Sequence, residues 1–326
     1  MKKLRLFLYG DDWVGHLAKI LNAHPAHGII AEYCEYPEIR PWKIFPKALN
    51  ADILMRVGVR PGCKGRRLFF LDCIWWIFQT FVRSKQTIYY WIGTDVLDLK
   101  RERSENKYMR FSGASQRARN FSNAPWLATE LTDLGVVNEL VLFPVGKVSP
   151  PESSRIRWPS HFTVLAYIPD GRSEFYGGDT LVEAALQFPE IRFQVVGGIG
   201  SWLESIPPNM EFLGFVQDMD TILNNVHVVV RQVEHDAIGG TVREGLFFAR
   251  HIVYSYPLPH TSYAPWSDKK HLCQILSDWH RAFLMGQLEP NWDGRFYAIN
   301  AWDPEVLLEN FVGAMKAPSR THQSGG

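Results

Sequence analysis

Cysteine is scarce in this chain, and cysteine pairs are absent. Cys34, Cys63, Cys73 and Cys273 are scattered over 326 positions with no CxxC among them. That argues against a disulfide framework or a zinc knuckle and fits a reducing, cytoplasmic compartment. An excess of one charge is also lacking: 35 Lys and Arg stand against 34 Asp and Glu, a formal net charge of +1. No global field recruits nucleic acid, and no such partner is expected. No uninterrupted apolar run reaches the ~20 residues of a membrane-spanning helix. The start is basic and then apolar, but Leu4 to Tyr9 meets Asp11-Asp12 at once, which reads as a first strand rather than a signal peptide. Repeats of solenoid length are missing. So is a GxGxxG loop, which removes the fingerprint of a dinucleotide-dependent dehydrogenase. No His and carboxylate spacing demands a metal, and no metal or cofactor is expected.

Hydrophobic residues make up 46% of the chain and aromatics 13%, enough for sizeable cores. Twelve tryptophans suit a packed core, a sugar-stacking cleft or a membrane-interface surface. Strand-like runs with few polar breaks recur at 4–9, 28–34, 53–57, 87–92, 117–121 and 139–143, with helical segments at 13–21, 67–82 and 125–134 between several of them. Four prolines among Ser and charged residues mark Pro144 to Pro159 as a linker. The alternation then resumes. Strands read at 161–168, 191–196, 210–213, 227–230 and 251–254, and helices at 179–188, 218–224, 240–249 and 269–284. The expected fold is α/β, with two Rossmann-like doubly wound domains facing across a cleft, residues 1–147 and 148–326. Ser319 to Gly326 reads as a disordered end.

Glu234-His235-Asp236-Ala237-Ile238-Gly239-Gly240-Thr241-Val242-Arg243-Glu244 is the most informative stretch. A strand ends before it and a helix begins inside it. Gly239 and Gly240 let backbone approach a ligand, and the helix-start amides around Thr241 and Val242 suit phosphate oxygens. Glu244, one turn in, suits ribose hydroxyls. An ordinary glycine-containing helix entry has the same sequence. His235 reads either as a sugar contact or as a plain loop histidine. Asp218-Met219-Asp220 has the DxD pattern of metal-dependent transferases, but it opens a helix, where capping is the default role.

Asp236 and Glu244 are acidic residues separated by seven others, and here the chain resembles glycosyltransferase family 4. Thr163 to Tyr167, Phe193 to Gly198 and Met210 to Val216 extend the likeness through most of the second half. Asp236 stands where that family has Glu. Arg172 matches its basic residue, while Tyr176-Gly177 lacks the usual Lys. The resemblance implies the two-domain GT-B fold, a helix near 304–315 that crosses back to the first domain, and retaining, metal-independent transfer from a nucleotide diphosphate sugar to a carbohydrate acceptor. It implies Glu244 on the donor ribose, Asp236 near the donor sugar, Arg172 countering the diphosphate, and backbone near Phe215 and Val216 against the base.

In the first half, Gly10-Asp11-Asp12 reads as a ligand-facing glycine loop or a simple helix cap. Trp91-Ile92-Gly93-Thr94-Asp95 looks like a motif of related exopolysaccharide transferases and offers Asp95 as an acceptor-orienting carboxylate, or else as a polar strand end beside a turn. Residues 68–82 carry Phe69, Phe70, Trp75, Trp76, Phe78 and Phe81 between Arg66, Arg67, Arg83 and Lys85. This segment reads as a core crossover helix or as a membrane-touching edge suited to a lipid-linked oligosaccharide acceptor. Two other readings stay open: a nucleotide-sugar epimerase of the same shape, revealed by activity without acceptor, and a non-enzymatic scaffold, revealed by failure to bind any nucleotide diphosphate.

Overall fold

The computed structural model describes residues 3–36, 41–59, 86–104, 118–144 and 150–317. The aromatic segment 68–82 with its flanking cations, Cys63 and Cys73 lie outside them. Two compact units emerge: residues 1–148 together with 304–326, and residues 149–303.

The first unit holds β1 (Leu4–Gly10), α1 (Trp13–Ala23), β2 (Ile29–Glu35), α2 (Pro41–Asn50), β3 (Ile53–Val57), β4 (Gln86–Trp91), α3 (Thr94–Ser104), β5 (Arg119–Ser122), α4 (Pro125–Asp133) and β6 (Glu139–Leu140). Its sheet is parallel in the order β2-β1-β3-β4-β5-β6. Alternate residues of β1 feed opposite faces, as a strand pleat requires. Leu6 and Leu8 pack with Val14, Leu17 and Leu21 of α1, while Phe7 and Tyr9 pack with Ile44 and Ala48 of α2. With both faces covered, the strands read as continuous apolar runs. The chain's last helix completes this unit: Leu308, Phe311, Val312 and Met315 join the α1-side core.

The second unit holds β7 (Thr163–Tyr167), α5 (Gly178–Gln187), β8 (Arg192–Val196), β9 (Met210–Gly214), α6 (Met219–Leu223), β10 (Val228–Arg231), α7 (Gly240–Phe247), β11 (His251–Tyr254), β12 (Ser262–Tyr263), α8 (Lys269–Leu284) and α9 (Trp292–Ala301). The closing helix, α10 (Pro304–Lys316), follows. The parallel order is β12-β11-β10-β7-β8-β9. α5 and α8 cover one face through Leu181, Ala184, Leu272 and Leu276. Gly245 lets α7 approach the sheet closely, since a Cβ there would meet Ile252 Cδ1 at 2.7 Å and Val229 Cγ2 at 3.0 Å. In each sheet, strand order reverses beside the strand that opens the unit. Doubly wound sheets bind ligands at that crevice, beyond the strands' carboxyl ends.

Strand expectations agree with these elements to within a few residues, and the largest change is at β6, which is only Glu139–Leu140. Among the described residues, three helices were not foreseen: α2, α3 and α9. No described helix is long and apolar enough to cross a membrane.

Candidate active site

In the first unit the reversal lies between β1 and β3. Gly10 ends β1 at φ 141°, and a Cβ there would overlap the Val57 carbonyl. Glycine is therefore required for the close approach of β1 to β3, whatever ligand lies beyond. Asp95 lies at the start of α3, just after β4. It is 3% exposed, and its carboxylate accepts from Val59 N (2.9 Å), Ile92 N (3.1 Å), Gly93 N (2.9 Å) and Val96 N (3.0 Å). Burial raises its pKa against the pull of those four amides. A carboxylate so held ties the loops after β3 and β4 together, the polar strand end that the sequence offered as an alternative. Ser122 and Asn123 likewise bind Asn138 Oδ1 and Phe143 N of their own unit.

In the second unit the reversal lies between β7 and β10, and most of the expected donor residues gather around it. Arg172 ends the short 3-10 turn after β7. Its guanidinium lies 3.9 Å from the Phe175 ring centroid and 5.5 Å from that of Tyr176. This is a solvent-facing cation stacked on an aromatic shelf. Asp170, two residues earlier, accepts from the amides of Ile199 (3.0 Å), Gly200 (2.8 Å) and Ser201 (2.9 Å), which keeps its carboxyl below the ordinary aspartate value. These bonds fix the loop after β8. Gly214 adopts φ 62° at the end of β9, and Phe215 beyond it is 86% exposed. Ile199, 68% exposed, packs near Gly214, so two large apolar side chains stand in solvent at adjacent strand ends.

The loop after β10 carries a residue that sequence reasoning missed. Arg231 closes β10, and the chain turns back to place Asp236 against it. Arg231 Nε donates to Asp236 Oδ2 at 2.5 Å and Nη2 to Oδ1 at 3.0 Å, a bidentate pair. The two side chains are 10% and 14% exposed. The single hydroxyl proton of Tyr254 is shared between the Ala237 carbonyl and Asp236 Oδ2, the latter 3.2 Å away. Burial works against the Arg231 charge, but Asp236 more than compensates and holds its pKa above the ordinary arginine value. Asp236 therefore has both oxygens engaged by Arg231 and Tyr254. His235 lies in the same loop. It is 3% exposed and edge-on to Tyr256, so its ring is buried rather than presented to a sugar.

Gly239 leads into α7, and a Cβ there would overlap the Arg231 guanidinium. Gly240 has open space around it, its nearest neighbour for a Cβ being Glu244 Oε1 at 3.8 Å. The amides of Gly240 and Thr241 have no acceptor among the described residues, as a helix start leaves them. Val242 departs from expectation: its side chain is fully buried, and its amide already donates to Gly239 O at 3.2 Å. Glu244 is half-buried, and burial raises its carboxyl pKa against the opposing charge of Arg243. Asp218 caps α6, accepting from Thr221 N at 3.2 Å and Thr221 Oγ1 at 2.5 Å. No group of three metal-ligating side chains occurs among the described residues.

Beyond the carboxyl ends of β7 to β10, these elements carry two guanidinium groups, two open helix-start amides, a carboxylate one turn into the helix and an exposed apolar shelf. Such a set can hold an anionic phosphate beside a polyol and a flat apolar ring.

No protein-family model matches the chain, and no curated protein matches it in sequence. Its fold is nevertheless shared with solved structures. Anabaena HepE, determined with UDP and glucose, aligns at TM-score 0.68 and 14% identity over 97% of this chain and 100% of its own. Sucrose-phosphate synthase from Thermosynechococcus elongatus aligns at TM-score 0.70 and 11% identity, covering 96% and 98%. The lipopolysaccharide outer core galactosyltransferase WaaB aligns at TM-score 0.63 and 10% identity, covering 96% and 99%. At these identities the likeness establishes the GT-B fold of two parallel α/β sheets.

Proposed function

We propose that the chain is a glycosyltransferase that moves a sugar from a nucleotide diphosphate sugar to a carbohydrate acceptor. The observation that carries this reading is the clustering of Arg172, Gly240, Thr241 and Glu244 at the strand-order reversal of the second sheet. Glu244 accepts hydrogen bonds from the donor ribose. The base lies on the shelf of Phe215 and Ile199, beside Val216. Arg172 and the amides of Gly240 and Thr241 face the diphosphate, whose charge grows as the sugar–phosphate bond breaks. Fixed donors aimed at that charge lower the barrier without reorganising during the reaction. The HepE neighbour was determined with UDP-glucose, which supports a donor of this class.

The reaction retains anomeric configuration and uses no metal, in keeping with the family 4 resemblance. Asp236 is occupied by Arg231 and Tyr254, so the departing phosphate itself takes the acceptor proton. The acceptor is a carbohydrate, with a lipid-linked oligosaccharide favoured by the aromatic and basic composition of residues 66–85. Incubation with UDP-, GDP- and ADP-sugars and a panel of saccharide and lipid-linked acceptors tests the reading. Transfer with the donor's anomeric configuration kept in the product is the expected result. Epimerised donor formed without acceptor, or inverted product, contradicts it.

A further inference from the structure

Arg231 has no part in the resemblance that points to the other site residues, yet its surroundings are more specific than theirs. Its side chain is nine-tenths buried and locked along its Nε–Nη2 edge by Asp236. The third nitrogen, Nη1, has a single contact among the described residues, Thr241 Oγ1 at 3.5 Å, which is at the limit of a hydrogen bond. Thr241 belongs to the first turn of α7, whose Gly240 and Thr241 amides are open. The guanidinium carbon lies 5.4 Å from the centroid of the Tyr176 ring, and Arg172 lies 5.5 Å from the same centroid. Tyr176 thus joins two cations from different strands, one after β7 and one ending β10. Gly239 leaves the Arg231 guanidinium its space.

A buried ion pair is a costly way to gain stability, because desolvation offsets much of the attraction. It is a good way to fix a guanidinium's direction. Asp236 takes Nε and Nη2, Tyr254 fixes Asp236, and Nη1 is left directed at the helix start. We infer that Arg231 is a second diphosphate-binding cation of the proposed donor site, with Asp236 and Tyr254 as positioning residues that aim it. The inference rests on the proposed nucleotide-sugar reading and assigns Asp236 an indirect role. Arg231 forms its new hydrogen bonds from Nη1 to a phosphate oxygen, and Thr241 Oγ1 gives way or shares that oxygen.

The test is titration calorimetry with UDP, GDP and ADP and with the three matching nucleosides, on the whole chain and on Arg231→Gln, Arg231→Lys and Asp236→Asn. Arg231→Gln is expected to weaken diphosphate binding by about tenfold or more, the usual scale of a charged hydrogen bond, and to leave nucleoside binding unchanged. Arg231→Lys keeps the charge but not the planar fork and should fall between. Asp236→Asn should weaken diphosphate binding by roughly three- to tenfold, since Arg231 remains but is no longer aimed by a carboxylate. If Arg231→Gln does not fold, Arg231→Lys and Asp236→Asn carry the comparison. Folded variants with lowered melting temperature but unaltered diphosphate affinity reduce Arg231 to a structural ion pair and overturn the inference. A wild-type chain that binds none of the three diphosphates contradicts the proposed function as well, so the two failures are distinguishable.

Discussion

Glu244 and Asp95 are both acidic residues near a strand-order reversal, but their surroundings differ. Glu244 stands one turn into α7, half-buried, with its carboxylate beside open Gly240. Glu244→Ala should weaken nucleoside diphosphate binding by ~1.5–3 kcal/mol, roughly ten- to hundredfold in Kd. A folded variant with unchanged Kd removes Glu244 from the donor site. Asp95 is a buried tie among four amides. Replacing it with Ala strands buried donors, each costing about 1–3 kcal/mol when no partner replaces the carboxylate. Asp95→Ala should therefore lower the denaturation midpoint markedly. An unchanged midpoint with lost turnover would support the catalytic role that the sequence first suggested. Arg231 shows why part of the site was hidden at this scale. It ends an apolar strand five residues before its partner, and only the fold of the intervening loop brings Asp236 onto it. Spacing identified Asp236 and Glu244 as a pair but carried no sign that Asp236 was already engaged.

At the scale of elements, buried strands were legible because each is a short apolar run bounded by polar turns, and covering both sheet faces leaves few polar breaks. The unforeseen helices each violate the usual signal. α2 carries Pro46 in its interior. α3 is dominated by charged residues, and α9 has apolar residues on both exposed and buried sides, including exposed Trp292 and Phe296. α10 was expected from the family 4 resemblance rather than from periodicity, and it completes the first unit's core. Phe311 is fully buried there, 5.7 Å from the Tyr90 ring. Arg119 on β5 donates to the Ala314 and Ala317 carbonyls at the helix end, 2.8 and 2.9 Å away. Phe311→Ala should destabilise the first unit by about 3–5 kcal/mol, the range for large buried aromatics. Denaturant titration checks this. A loss under about 1 kcal/mol, the scale of a surface change, would mean that α10 is not part of that core.

For the molecule as a whole, the second unit contains an acid-sensitive element remote from the donor residues. His227, at the amino end of β10, is fully buried among Trp158, Phe162 and Phe283. Burial, with the nearby Arg250 charge, lowers its pKa from 6.5 to about 4. His251 shifts in the same direction, again through burial. The unfolded chain therefore takes up a proton at higher pH than the folded chain does. Stability should be level above the ordinary histidine value and fall as pH drops from about 6.5 toward about 4. Denaturation midpoints across that window should decline, and His227→Phe should flatten the decline. A slope identical in both proteins assigns the acid sensitivity elsewhere.

The central claim is that the second unit's strand-order reversal holds the diphosphate of a nucleotide sugar. Titration calorimetry of the intact chain with UDP, GDP and ADP, each beside its nucleoside, tests it most directly. The account predicts that one of the three diphosphates binds stoichiometrically, and far more tightly than its nucleoside, because Arg172, Arg231 and the α7 amides act on phosphate. Binding of nucleoside and diphosphate with equal strength, or of neither, would contradict it.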